Sequence, residues 1–300
     1  MAINVVACGS SSDEGSNSGQ SLKGGPGSHG AAGDGGPGGQ NGSGGERPKV
    51  GKIHVENTKA TIRSRAVQNY LASVLFSDRA NLQPKCEAVP DGQCTVYTCT
   101  GSISGDQNNV HIYRGGIVRI AGTAVSPAIQ LEPGAGPLEY SPVSGNVSLW
   151  SGGESIQVTG TGDPNGAPAF AQTLKAPSLI TLSSPTWTRR EGGPTIDRSK
   201  NLELAWNVAG AASGTVALFL GGPDSAEKFS FAQCAFPVAD LKGTVPASVL
   251  GKLPAGQGEF TVDAEETSVV PAGSDWDIEV SLASTGALAD GLATGDATFR

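Results

Sequence analysis

The amino-acid sequence predicts an all-β protein, two β-sandwich domains that follow a Gly/Ser-rich N-terminal segment. Three observations carry this. After Lys49 the chain runs in short stretches of alternating apolar and polar residues broken by Gly, Pro, Asn and Asp, the pattern of sandwiches and barrels. The 3.6-residue period of amphipathic helices is nearly absent there. The excess of glycine, 44 residues in 300, is concentrated before residue 46, so the rest of the chain keeps an ordinary globular composition.

From Gly9 to Pro48 the residues are Gly, Ser, Asn, Asp and Gln with almost nothing apolar. Such a stretch cannot bury enough surface to offset its conformational entropy, and it reads as a disordered tether. A Gly-rich coil of this length has a root-mean-square span of roughly 35 Å. Glycine falls at every third position from Gly24 to Gly45, but only Pro26 and Pro37 support a collagen phase, and a flexible linker is the simpler reading.

The body supplies its strands one after another. Leu202, Leu204, Trp206 and Val208 share one face while Glu203, Ala205 and Asn207 take the other. Val216, Leu218 and Leu220 repeat the rule, as do Ile278, Val280 and Leu282. Earlier candidates are 52–56, 71–76, 95–100, 110–113, 117–121, 129–132, 155–160 and 169–174. Pro90-Asp91-Gly92 and Asp163-Pro164-Asn165-Gly166 are reversal signals, and one helical turn fits 246–253. The strands exceed one small Ig-like sandwich, so the chain divides at the prolines between Pro177 and Pro185. The expected organisation is 1–8, a truncated signal; 9–48, the tether; 49–180, the first sandwich; and 181–300, the second. A single large β domain is the alternative.

The N-terminus reads Met1-Ala2-Ile3-Asn4-Val5-Val6-Ala7-Cys8-Gly9-Ser10, an apolar stub ending in a small residue, then cysteine, then a polar run. It resembles a bacterial lipobox, which implies that Cys8 is lipidated and becomes the mature N-terminus. Two or three acyl chains would make that anchoring stable. The stub lacks a basic n-region and is shorter than a usual h-region, so the start of the natural chain is expected upstream of Met1. Gly9 stands where inner-membrane lipoproteins carry Asp, so the resemblance implies the outer membrane, at the cell surface or in the periplasm. The alternative is a cytoplasmic protein with a chance Val-Val-Ala-Cys.

Five cysteines are present. If Cys8 carries lipid, Cys86, Cys94, Cys99 and Cys234 can pair in an oxidising compartment. Of three connectivities, Cys86 with Cys94 across the Pro90 turn and Cys99 with Cys234 is the one favoured. The spacings lack the tight C-x2-C of structural zinc sites, and no metal is expected.

The chemistry-bearing motifs are few. His111 falls in a strand-like run. Gly101-Ser102-Ile103-Ser104-Gly105 does not place serine as a nucleophile elbow does. Thr159-Gly160-Thr161-Gly162 leads into a turn and not a helix, so it offers phosphate no helix N-terminus. Asp163 and Asn165 are oxygen donors without a calcium-loop spacing. Asp263, Glu265, Glu266, Asp275 and Asp277 read as a solvated acidic face. No catalytic residue and no cofactor is expected. Among the aromatics, Trp206 reads as core, while Trp150 and Trp187 lie beside loop residues and are the candidate ligand-stacking rings.

A formal charge of −8 provides no basic field for nucleic acid, and no run approaches the roughly 18 apolar residues of a spanning helix. Lipobox, tether and Cys-bearing β domains together make the chain similar to surface lipoproteins of myxobacteria and related Gram-negative bacteria, a likeness that implies a location and no activity. The expected function is a non-enzymatic binding, adhesion or scaffold module, anchored by lipid and meeting an extracellular or periplasmic protein or glycan. A carbohydrate-binding accessory protein and a hydrolase with a dispersed active site are the alternatives.

Overall fold

A long hairpin comes first in the computed structural model, which describes residues 47–62, 65–79, 85–100, 111–134, 140–187, 193–225 and 228–300. The lipobox with Cys8, nearly all of the tether and the Ser102/Ser104 run lie outside the described residues.

Strands β1 (Lys49–Ile62) and β2 (Arg65–Asp78) pair antiparallel from Lys49↔Asp78 to Ile62↔Arg65. Alternation sends Ile53 and Val55 of β1 and Ala72, Val74 and Phe76 of β2 to one face, where all are buried. The next strands are β3 (Lys85–Asp91), β4 (Cys94–Thr100), β5 (Val118–Ala121), β6 (Ile129–Leu131), β7 (Val143–Gly145), β8 (Ser155–Gly160) and β9 (Phe170–Lys175). Then follow β10 (Leu179–Ser184), β11 (Thr195–Ile196), β12 (Leu202–Ala209), β13 (Thr215–Ser225) and β14 (Lys228–Pro237). Strand β15 (Lys242–Val245) precedes α1 (Ala247–Leu250), and β16 (Gly256–Ala272), β17 (Trp276–Thr285) and β18 (Thr294–Phe299) complete the chain. The protein is all-β, as the alternation predicts. The helical turn of α1 stands where expected, with Pro246 as its N-cap, and a 3-10 turn at Val238–Asp240 precedes β15.

The main sheet runs β3-β4-β14-β13-β16-β17-β1-β2-β7, with β18 beside β16 and β11 beside β18. Two smaller sheets cover it: β6-β5-β8-β9 and β10-β12-β15. The first packs Val118, Ile120, Leu131, Ile156 and Val158 onto Ile53, Val55, Phe76, Ile278, Val280 and Leu282. The second packs Ile180, Leu182, Leu204, Trp206 and Val245 onto Val216, Leu218, Leu220, Phe236, Phe260 and Val262. Each fully buried Leu, Ile or Phe contributes about 1.5–3 kcal/mol.

There are thus two sandwich cores, but they are not the successive halves 49–180 and 181–300. Strands β3 and β4 leave the first half to pair with β14 in the second core. Strand β17, from the second half, pairs parallel with β1 in the first. Strand β16 serves both, with Gly256–Thr261 against β18 and Asp263–Ala272 against β17. Between those stretches Val262 donates its N–H to Ala293 and accepts from Gly286, closing the chain excursion that separates β17 from β18. Alternation tells each strand which face is apolar and leaves its neighbour open, so the proline-marked division does not separate the cores.

The turn signals hold. Gly166 N–H reaches the Asp163 carbonyl at 3.1 Å, and the Asp163 carboxylate accepts the Asn165 N–H at 2.8 Å, an Asx turn. Between Asp91 and Cys94 the chain reverses over Gly92, whose φ of +64° is one that L side chains rarely adopt. The 110–113 run is not a strand in the described residues; only Ile112 bridges, to Ser77. Among the described residues no helix is long and apolar enough to cross a membrane.

Candidate binding face

The rings singled out as ligand platforms are inside the molecule. Trp150 is 2% and Trp187 8% exposed, and Trp206 and Trp276 are buried with them. Trp150 donates its indole N–H to Ser284 Oγ at 2.8 Å, and its carbonyl accepts from Asn57 Nδ2 at 3.3 Å and Ser148 Oγ at 2.9 Å. Asn57 in turn accepts the Leu149 N–H at 2.8 Å. A largely buried network thereby fastens the 148–150 segment to β1 and β17, because each of these polar groups would be costly unpaired. Trp187 packs edge-on against Phe260, ring centroids 5.0 Å apart. Neighbouring loop residues in the sequence suggest exposure, but neither ring face is open to a ligand.

All four cysteines of the body are in disulfides, with a connectivity different from the expected one. Cys86 pairs with Cys99 and Cys94 with Cys234. The register explains the correction. With Gly92 and Gln93 forming the turn, Asp91 stands opposite Cys94, and the two strands bring Cys86 opposite Cys99. Strand β14 then sets Cys234 directly against Cys94. Cys94–Cys234 belongs to the second core, and Cys86–Cys99 sits on the opposite face of the same strand.

The acidic residues are not one solvated face. Asp277 is largely buried and takes Arg79 at 2.7 Å and Arg47 at 2.9 Å, a clamp that fastens the residues before β1 and after β2 to β17. Glu265 is buried, and Asp263 holds Oδ1 away from solvent without a hydrogen-bond partner. Burial first, then the nearby carboxylates of Glu265 and Glu56, push the Asp263 carboxyl well above its usual range. Asp275 alone is openly exposed among those considered as ion-pair partners, loosely facing Lys49 at 3.9 Å.

His111 rests against the Tyr113 ring, centroids 4.4 Å apart, and Tyr113 donates its hydroxyl to Asp78 at 2.9 Å. The Lys49 ammonium lies 5.0 Å from the same ring. Among the described residues no group of three or more His, Cys, Asp and Glu is arranged to hold a metal ion. A shallow polar hollow of about 360 Å³ lies by Arg198, Asp224, Ser230 and Lys252. Its cations are already engaged: Arg198 donates to the carbonyls of Leu250 and Gly251, and Lys252 pairs with Asp91.

The half-exposed aromatics are elsewhere, on the outer side of the main sheet over the second core. Tyr97 and Phe231 stand opposite one another on β4 and β14 with rings stacked at 4.8 Å and 16°. Phe219 lies 5.2 Å from Phe231, and Phe229 5.9 Å. Tyr97, Phe219 and Phe229 are half-buried. The row continues without a break: Phe231 is opposite Gly221 on β13, Gly221 opposite Glu259 on β16, and Glu259 opposite Asp296 on β18. In the sequence these positions are less conspicuous than the tryptophans. The available signal was phase, since Phe219 occupies the solvent side of the Val216, Leu218, Leu220 alternation, and Phe229 and Phe231 bracket the buried Ser230.

The chain matches no known protein-family model, and no curated protein shows significant similarity to it.

Proposed function

We propose that the protein is an exported lipoprotein, anchored to the outer membrane through Cys8, whose β body is a non-enzymatic binding module. The observation that carries this is the cysteine pairing. With Cys86 joined to Cys99 and Cys94 to Cys234, no cysteine remains in the chain for Cys8. Disulfides of this kind persist in oxidising compartments, and a cysteine left over next to an apolar stub is suited to lipid attachment. The tether would let the body stand clear of the bilayer.

Intact-mass spectrometry of the protein expressed from its full genomic locus in a Gram-negative host, with and without reduction and alkylation, tests the reading. A mass beginning at Cys8 plus acyl chains, with four thiols released only on reduction, is the expected result. An unlipidated chain with five free thiols overturns it.

Carbohydrate binding is the second reading, and the outer aromatic row favours it over the tryptophans. Apolar sugar faces stack on half-exposed rings, and hydroxyl and amide groups lie alongside: Thr261 and Thr294 share a hydrogen bond at 3.1 Å, as do Gln257 and Thr298.

A further inference from the structure

We infer that the outer face of the second core, along the row Tyr97, Phe231, Gly221, Glu259 and Asp296, is a binding site for a positively charged, amino-sugar glycan. The inference rests on the carbohydrate-binding reading of that face and adds the ligand's charge.

Five strands contribute one residue each to this row. At about 4.8 Å per strand it spans roughly 19 Å, which suits an extended oligosaccharide. Its two ends differ in chemistry. At one end Tyr97, Phe219 and Phe229, each half-buried, pack around Phe231, itself 5% exposed, and leave part of their apolar rings at the surface. At the other, Glu259 and Asp296 are directly opposite in register, an arrangement that costs free energy for like charges. Neither carboxylate has an ion-pair partner among the described residues, and on the described strands this face carries no Lys or Arg. Burial, with Asp296 adding to it, pushes the Glu259 carboxyl up. A cation arriving here relieves that repulsion.

Between the two ends is Gly221, buried against Phe231: a Cβ at that position would stand 2.5 Å from Phe231 Cβ, so no side chain separates the rings from Glu259. Cys86–Cys99 lies on this side of β4, two residues from Tyr97, and ties β3 to β4 at the aromatic end. A ligand matched to it needs a flat apolar surface and a positive charge in one repeating unit. An amino-sugar supplies both: its ring face stacks on aromatics, and its ammonium pairs with a carboxylate and attracts the ring quadrupoles. A lysine-rich peptide carries the charge without the flat face, and a uronic-acid polymer carries the wrong sign.

Calorimetric titration of the full chain tests this with a glucosamine hexamer kept protonated, its N-acetylated form, a galacturonate hexamer and oligolysine. The variants are Tyr97→Ala and the isosteric pair Glu259→Gln with Asp296→Asn, each checked for an unchanged unfolding midpoint. Asp296 is exposed, so Asp296→Asn alone serves if a variant fails to fold. The expected result is binding of the amino hexamer, weakened tenfold or more by either change, with the N-acetylated form about tenfold weaker and the galacturonate silent. Absence of amino-hexamer binding, or binding that ignores both changes, overturns the inference. Oligolysine binding as tightly, with the same dependence on Tyr97, assigns the face to a basic peptide and overturns it too. If the N-acetylated hexamer binds at least as well, the carbohydrate reading survives and the charge assignment falls.

Discussion

The two cores share one sheet and are secured in opposite ways. The first, around Ile53, Phe76 and Ile278, contains no disulfide and relies on buried polar links: Asn57 to Leu149 and Trp150, Trp150 to Ser284, and the two arginines on Asp277. The second, around Leu218, Phe236 and Phe260, contains Cys94–Cys234, with Cys86–Cys99 on the outer face of the same strand β4. The contrast follows from the covering layers. The four strands over the first core are only 3 to 6 residues long, with connecting loops whose ends must be fastened by side chains. The second core instead recruits β3 and β4 from far away in sequence, and covalent links hold them. Long-range pairing of that kind carries a loop-closure cost that a cross-link removes from the unfolded chain.

The sharpest way to break this comparison is to remove Cys94–Cys234. Its 140-residue separation makes it worth about 5 kcal/mol by chain entropy, against about 3 kcal/mol for Cys86–Cys99. Paired Cys→Ala variants followed by denaturant unfolding should show that order. Hydrogen exchange should place the loss in β4, β13 and β14 and leave β1 and β2 protected. Equal losses in both cores would mean that they unfold as one unit.

The first core is tested by Asn57→Ala, which strands the Leu149 N–H and shortens the network. A loss of about 3 kcal/mol is expected, with exchange rising first at 148–150. Ser284→Ala leaves the Trp150 ring in place and removes the hydroxyl that accepts its indole N–H, for about 1–3 kcal/mol. If both variants unfold like the parent, the polar network is not what secures this core.

The junction between the cores has a pH signature. The Asp263 carboxyl is raised, so the folded state binds its proton more tightly than the unfolded chain. Its contribution is favourable below the ordinary carboxylate range and is lost as pH rises toward the folded value. Asp263→Asn should therefore raise the unfolding midpoint at neutral pH and leave it unchanged in acid. On β1, His54 behaves in the opposite sense. Burial lowers it against the attraction of Glu56 and Glu279, so stability falls as pH drops below the ordinary histidine value. His54→Gln should flatten that smaller, mildly acidic limb, and an unaltered profile would show that His54 is not desolvated.

The difference between the tryptophans and the phenylalanines shows what a sequence can say about a site. Glycines, serines and charges flank Trp150 and Trp187, yet flanking residues report the local chain and not what packs over it, Ser284 for Trp150 and Phe260 for Trp187. Phe219 was legible by phase, because a ring on the polar side of an alternating strand must be covered by its neighbours or meet solvent. That it meets Tyr97 and Phe231 could be read only once β4 was placed beside β14.

By itself the sequence determined the all-β class, the inward and outward faces of the strands, the turns at Gly92 and Gly166, the helical turn after Pro246, and the identity of the four cysteines that pair. Tertiary structure alone decided which cysteines join, which strands cross between the cores, where the tryptophans are buried and which aromatics line up beside Glu259 and Asp296. The physical reason is that side-chain alternation is a property of one strand, set by local backbone geometry. Neighbours and register are set by the best burial available to all the strands together.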